Sequence, residues 1–159
     1  MPESSRKSDQ RQFLVKYAGR ILTARPYFRI KLKEKLFLRA EKEKMEDPGS
    51  TIESILKDLT ASGYLNDQYL AEAFVRRQLS KHYGPRIISL KLKYLGLESE
   101  SIAAALKSVA TPDAEIASIR QFADKFPRLD RRVVVSKLYR RGYSDRAIKS
   151  AFDGDSFED

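Results

Sequence analysis

The chain has 159 residues, of which 42% are hydrophobic, enough for a folded core and too many for a disordered polymer. Its 31 lysines and arginines against 22 acids leave +9, a surplus that attracts nucleic acid or an anionic membrane surface and says nothing of fold. There is no cysteine for disulfides, thiolate catalysis or cysteine–zinc sites, no run nearing the roughly 20 apolar residues of a membrane span, and no apolar segment of a secretion signal in "MPESSRKSDQ", so a soluble cytoplasmic protein is expected.

In chain order, a flexible polar tail over residues 1–11 precedes a helix predicted from about Gln12 to Thr23, which Pro26 ends. A second helix runs to about Lys44. The loop "EKEKMEDPGST" separates it from a third, opened by Ser50 and Glu53 at the spacing of a capping box. Asn66 is a good N-cap for the fourth, with Leu65 and Leu70 placed as a hydrophobic staple. Gly84-Pro85 ends that helix and starts another, Thr111-Pro112 repeats the device, and Asp130 and Ser144 are cap candidates for the last two. "RRVVVSKLY" tempts a strand assignment, yet its spacing suits a helix equally well. The reading is all-α, with eight or nine short helices.

Three stretches, "LTASGY", "LKYLGL" and "LYRRGY", place a glycine just past a helix end and four residues after a leucine. A left-handed glycine there turns the chain so that the following residue covers that leucine, the Schellman arrangement. A shift of 46 residues pairs Arg86 with Arg132, Ile88 with Val134, Leu92 with Leu138, Gly96 with Gly142, Ile102 with Ile148 and Ala105 with Ala151. A shift of 56 pairs Leu32 with Ile88, Leu36 with Leu92 and, more loosely, Ala40 with Gly96. We read three tandem helix-turn-helix-like units of three helices, at 12–65, 66–110 and 111–152, followed by an acidic tail at 153–159. That tail, "DGDSFED", holds four acids and no base, so residues 1–152 carry 31 bases against 18 acids, or +13.

On a helical wheel Ile88, Leu92 and Leu95 share one face while Arg86 and Lys93 lie nearly opposite, and Leu90, Tyr94 and Ile87 form a second stripe suited to packing on a neighbouring unit. Ala71, Leu70 and Phe74 of the preceding helix point inward, with Arg76, Arg77 and Lys81 adding charge near its end. Any single lysine or arginine here is explained by the helix dipole or by a solvated face. Recurrence is harder to explain that way: six bases face two acids over 66–97, and eight face two over 128–149. The candidate nucleic-acid-binding residues are therefore Arg76, Arg77, Lys81, Arg86, Lys91, Lys93, Arg132, Lys137, Arg140 and Arg141. Interleaved Tyr69, Tyr83, Tyr94, Tyr139 and Tyr143 are of the kind that stack on bases, though Tyr143 suits a core corner.

Catalysis finds little support. The one histidine, His82, falls at a helix end where capping or exposure is expected, and there is no phosphate loop, HExxH pair or pairing of carboxylates on one face. No cofactor or metal is expected, and the protein is read as not an enzyme.

The segment "GYLNDQYLAEAFVRRQLSKHYGPRIISLKLKYLGL" resembles the central signature of RecX regulatory proteins: a Gly-aromatic-Leu corner, an Ala-rich helix bearing arginine, then Gly-Pro-Arg opening a helix that ends at glycine. The resemblance covers about residues 12 to 152, closely over 63–97 and more loosely in the first unit. It implies an elongated helical array, a monomer, that lies in the groove of the RecA recombinase filament on single-stranded DNA. There it would limit recombination, ATP hydrolysis and co-protease function in the SOS response and DNA repair. The rival reading is a helix-turn-helix transcription factor on duplex DNA.

Overall fold

The computed structural model describes residues 2–153, and these contain nine helices and no strand. They are α1 (Glu3–Ala24), α2 (Arg29–Lys42), α3 (Gly49–Ala61), α4 (Asp67–Ser80), α5 (Pro85–Tyr94), α6 (Ser99–Val109), α7 (Pro112–Asp124), α8 (Arg131–Arg140) and α9 (Asp145–Phe152). None is long and apolar enough to cross a membrane. The stretch "RRVVVSKLY" is helical, in α8. The acidic tail beyond Asp153 lies outside the described residues.

The helices form three triplets. In the first, Leu14 and Ala18 of α1 meet Leu32, Leu36 and Ala40 of α2 and Ile52, Ile55 and Leu56 of α3 in one apolar cluster closed by Leu65. In the third, Ile119 and Phe122 of α7 meet Val134 and Leu138 of α8 and Ile148 and Ala151 of α9. Ile88, Leu92, Ile102 and Ala105, which the 46-residue shift equates with Val134, Leu138, Ile148 and Ala151, are likewise buried. Each large aliphatic side chain among them contributes about 1.5–3 kcal/mol by leaving water. The chain divides into two compact units, one up to Leu70 and one from Ala71 onward, so the second and third triplets share a unit.

The predicted corners form as read. Gly63, Gly96 and Gly142 have φ of 80°, 93° and 93°. After each, the next amide donates back to the leucine carbonyl: Tyr64 to Leu59 (2.9 Å), Leu97 to Leu92 (3.2 Å) and Tyr143 to Leu138 (3.3 Å). Two more corners use the same bonds without glycine. Lys44 (φ 53°) sends the Met45 amide to the Ala40 carbonyl, and His82 (φ 60°) sends the Tyr83 amide to the Gln78 carbonyl, both at 3.0 Å. The caps at Asn66, Thr111, Asp130 and Ser144 also form, accepting from the amides of Tyr69, Ala114, Arg132 and Ala147.

Three expectations are corrected. Helix α1 begins at Glu3, not near Gln12, because it is sustained locally: an acid sits in its first turn, Lys7 pairs with Glu3, and no side chain is buried before Leu14. Ser50 does not cap α3. That helix starts at Gly49 behind Pro48, with no side-chain cap, and Glu53 pairs instead with Arg29 (2.6 Å) and with Lys33. His82 is neither exposed nor a cap but buried, at 6% exposure.

Gly84 and Gly63 separate two reasons for glycine. Gly84 has an ordinary φ of −84°, but a Cβ there would overlap the main chain of Gly142 and Tyr143. Gly63 has φ of 80° and nothing within 4 Å of its would-be Cβ. Gly63→Ala is therefore expected to cost only about 1 kcal/mol of backbone strain. Gly84→Ala is expected to cost more than about 2 kcal/mol, as overpacking against backbone does. In the Gly84→Ala variant amide exchange should accelerate at position 84 and at Arg86, and equal stability losses for the two variants in urea unfolding would contradict this assignment.

Candidate nucleic-acid interface

The corner between α8 and α9 docks on the start of α5. Amides at a helix N-terminus lack partners within the helix, and Pro85 contributes none. The Gly84 amide donates to the Arg141 carbonyl (2.7 Å) and the Arg86 amide to the Gly142 carbonyl (3.2 Å), while a Cβ on Gly142 would fall 2.6 Å from the Ile87 nitrogen. Carbonyls of the third triplet thus cap a helix of the second. At the equivalent place in α8 a side chain does this work, with Asp130 accepting from the Arg132 amide at 2.7 Å.

Arg141 closes the same joint. Its Nε and Nη2 donate to the carbonyls of His82 and Lys81, both at 2.5 Å, and its guanidinium lies over the rings of Tyr83 (4.5 Å) and Phe122 (5.0 Å). Those carbonyls lie just past the end of α4, where a cation opposes the negative pole of the helix. Beneath it, Ser118 Oγ donates to the Leu79 carbonyl (2.8 Å) and accepts from the Tyr143 hydroxyl (2.6 Å). The Ser118 carbonyl can only accept, so His82 Nδ1 carries the proton it donates there at 3.2 Å. Burial holds the Tyr143 phenol above its ordinary pKa, which suits a donor.

The ten candidate cations therefore divide. Arg141 is structural. Arg86 Nη2 donates to the Tyr139 carbonyl at 3.2 Å, and Lys91 donates to the buried Gln78 side chain at 2.8 Å with its ammonium 3.7 Å from the Tyr83 ring centre. Lys137, equivalent to Lys91, covers Phe126 at 5.7 Å. Arg76, Arg77 and Lys81 at the end of α4, Lys93 on α5, and Arg132 and Arg140 on α8 are exposed. Arg76 reaches Glu72 at 3.5 Å, and no carboxylate among the described residues pairs with the other five.

The tyrosines divide similarly. Tyr143 is buried, Tyr83 lies under Lys91 and Arg141, and the Tyr139 hydroxyl donates to Asp145, whose carboxyl that bond and Lys149 hold below its usual range. Tyr69 and Tyr94 are open, at 63% and 91% exposure. Tyr94 and Leu90 were expected to pack on a neighbouring unit. Instead they stand exposed along a groove of about 510 Å³ that Phe74, Ile87 and Lys91 complete. Only Ile87 of that stripe meets the third triplet, at Gly142. Among the described residues no group of His, Cys, Asp or Glu is placed to hold a metal ion.

Helix triplets carrying matched cations define a tandem-repeat helical protein with a basic surface. A family model described as RecX, second three-helix domain, matches residues 66–106. The "Regulatory protein RecX" of Stenotrophomonas maltophilia (strain R551-3) is 30% identical over 156 residues, covering 95% of this chain and 92% of that protein. That of Photobacterium profundum is 32% identical over 149 residues, and the chain spans 53% of its length. The crystal structure of RecX from Lactobacillus salivarius has the same fold, with a TM-score of 0.76 at 19% identity over 92% of this chain and 97% of that one. The chain belongs to the RecX family.

Burial, then the positive charges of Lys125 and Arg141, hold the His82 pKa below its ordinary value, opposed by the bond to the Ser118 carbonyl. The unfolded chain takes up this proton below about pH 6.5 and the folded chain resists it, so stability falls as pH drops through that range. Asparagine tolerates the left-handed corner. His82→Asn is expected to lose less melting temperature than the wild type between pH 7 and pH 5.5, and parallel losses would remove His82 from this role.

Proposed function

We propose that this protein regulates the RecA recombinase by binding its filament on single-stranded DNA, inhibiting recombination, ATP hydrolysis and co-protease activity without catalysis of its own. It works in the cytoplasm as a monomer, with weaker affinity for duplex DNA. The observation that carries this reading is the recurrence of exposed, largely unpaired cations on α4, α5 and α8 of a chain in the RecX family. Arg76, Arg77, Lys81, Lys93, Arg132 and Arg140 are the proposed contacts, with Tyr94 and the groove beside it available for a base or an apolar side chain. Arg86, Lys91, Lys137 and Arg141 are instead engaged with main-chain carbonyls, Gln78 or aromatic rings of the same unit.

Reversing the charge of Arg76, Arg77, Lys81 and Lys93 is expected to leave the fold intact, since surface changes usually cost within about 0.5 kcal/mol each. The concentration needed to inhibit RecA ATPase on single-stranded DNA should rise at least tenfold. Inhibition at the wild-type concentration would mean that this face is only solvated. Neutralising about six phosphates of a free single strand gives a slope near −4 for log affinity against log salt. A flat response together with strong preference for one duplex sequence would favour the transcription-factor reading.

A further inference from the structure

Residues 3–42, which span α1, α2 and the turn between them, hold twelve lysines and arginines against four acids, a surplus of eight in a chain whose total is +9. Part of this is neutralised: Lys7, Arg11, Arg29, Lys31, Lys33 and Arg39 all have carboxylate partners. Lys16, Arg20, Arg25 and Lys35 have none among the described residues. They are also set among aromatic rings. The Arg39 guanidinium lies 5.1 Å from the Phe13 ring centre and 5.4 Å from that of Tyr17, and Arg20 lies 5.5 Å from Tyr17. With Lys16 these side chains line one open cavity of about 230 Å³. Where α1 gives way to α2, Arg25 and Lys35 lie over Tyr27 at 4.7 and 5.5 Å.

We propose that this face of α1 and α2 is a second contact surface, one that binds the phosphates of single-stranded DNA with Phe13 beside them to stack on a base. The proposal rests on the reading that the protein engages single-stranded DNA. The cavity is smaller than the roughly 300–1,000 Å³ of small-molecule sites, so it suits one nucleotide of a longer strand. Cations alternating with aromatic rings are how proteins hold single strands without reading sequence, because phosphates meet the charge and every base has a stacking face. Helix packing alone would account for the rings but not for cations left unpaired, spaced one turn apart as Lys16 and Arg20 are on α1.

The test uses the full chain, a fluorescent oligothymidylate of about 20 nucleotides and anisotropy over a salt series. Lys16→Glu, Arg20→Glu and Arg25→Glu together are expected to weaken binding at least tenfold and to flatten the salt slope by about 2, the share of three phosphates. The glutamine triple guards against misfolding and should give a smaller loss in the same direction, at unchanged far-UV circular dichroism. Wild-type affinity and slope in both triples would overturn the proposal, and RecA inhibition retained alongside would leave the filament reading standing. An equal loss on a duplex of the same length would overturn the assignment to single strands. No binding of the oligonucleotide by the wild type at low salt would overturn both.

Discussion

Gly84 and Gly142 allow two main-chain segments to approach more closely than any side chain permits, and the second unit is organised around that approach. It places the Arg141 and Gly142 carbonyls on the open amides at the start of α5, sets the Arg141 guanidinium on the carbonyls just past the end of α4, and leaves His82, Ser118 and Tyr143 to complete a buried chain of donors. Gln78, His82 and Ser118, the buried polar side chains among the described residues, lie at this joint or one turn from it. Each is partnered, which is the condition for a polar group to be tolerated away from water. Two triplets thereby share one compact unit.

Cations of the second unit serve two ends, and the rings of Tyr83, Phe122 and Phe126 mark one of them. Over Tyr83, Phe122 and Phe126 the charges of Lys91, Arg141 and Lys137 fasten corners to the helices beneath, each contact worth about 0.5–2 kcal/mol according to how far it is desolvated. Lys93, Arg132 and Arg140 have no such ring and no carboxylate partner among the described residues. A basic residue of the first kind would be destructive to replace, and one of the second nearly silent for the fold.

Local signals were legible in the sequence and long-range ones were not. Asn66, Thr111, Asp130 and Ser144 could be named as caps because a cap needs only its own next three residues, and the glycine corners because a leucine four positions back completes them. The first nine residues of α1 escaped because they bury nothing, leaving no apolar period to read. His82 escaped because a left-handed histidine is held by Ser118, 36 residues away, and Arg141 read as surface because its acceptors are 59 and 60 residues back. The sequence did carry one overlooked signal in α1: Phe13, Tyr17 and Arg20 fall at helical spacing, and only the packing of α2 brings Arg39 to the same cavity.

Because α5 is capped by carbonyls rather than by a side chain of its own, its start stays unfinished while the chain is being made. Gly84 leaves the ribosome 58 residues before Gly142. At roughly 5–20 residues per second the interval is about 3–12 s, long beside the folding of a small helical unit. The first unit, complete by Leu70, can settle during that wait. The second assembles in one late event, so its nascent helices keep their apolar faces open to water, and to other chains, until the final corner arrives.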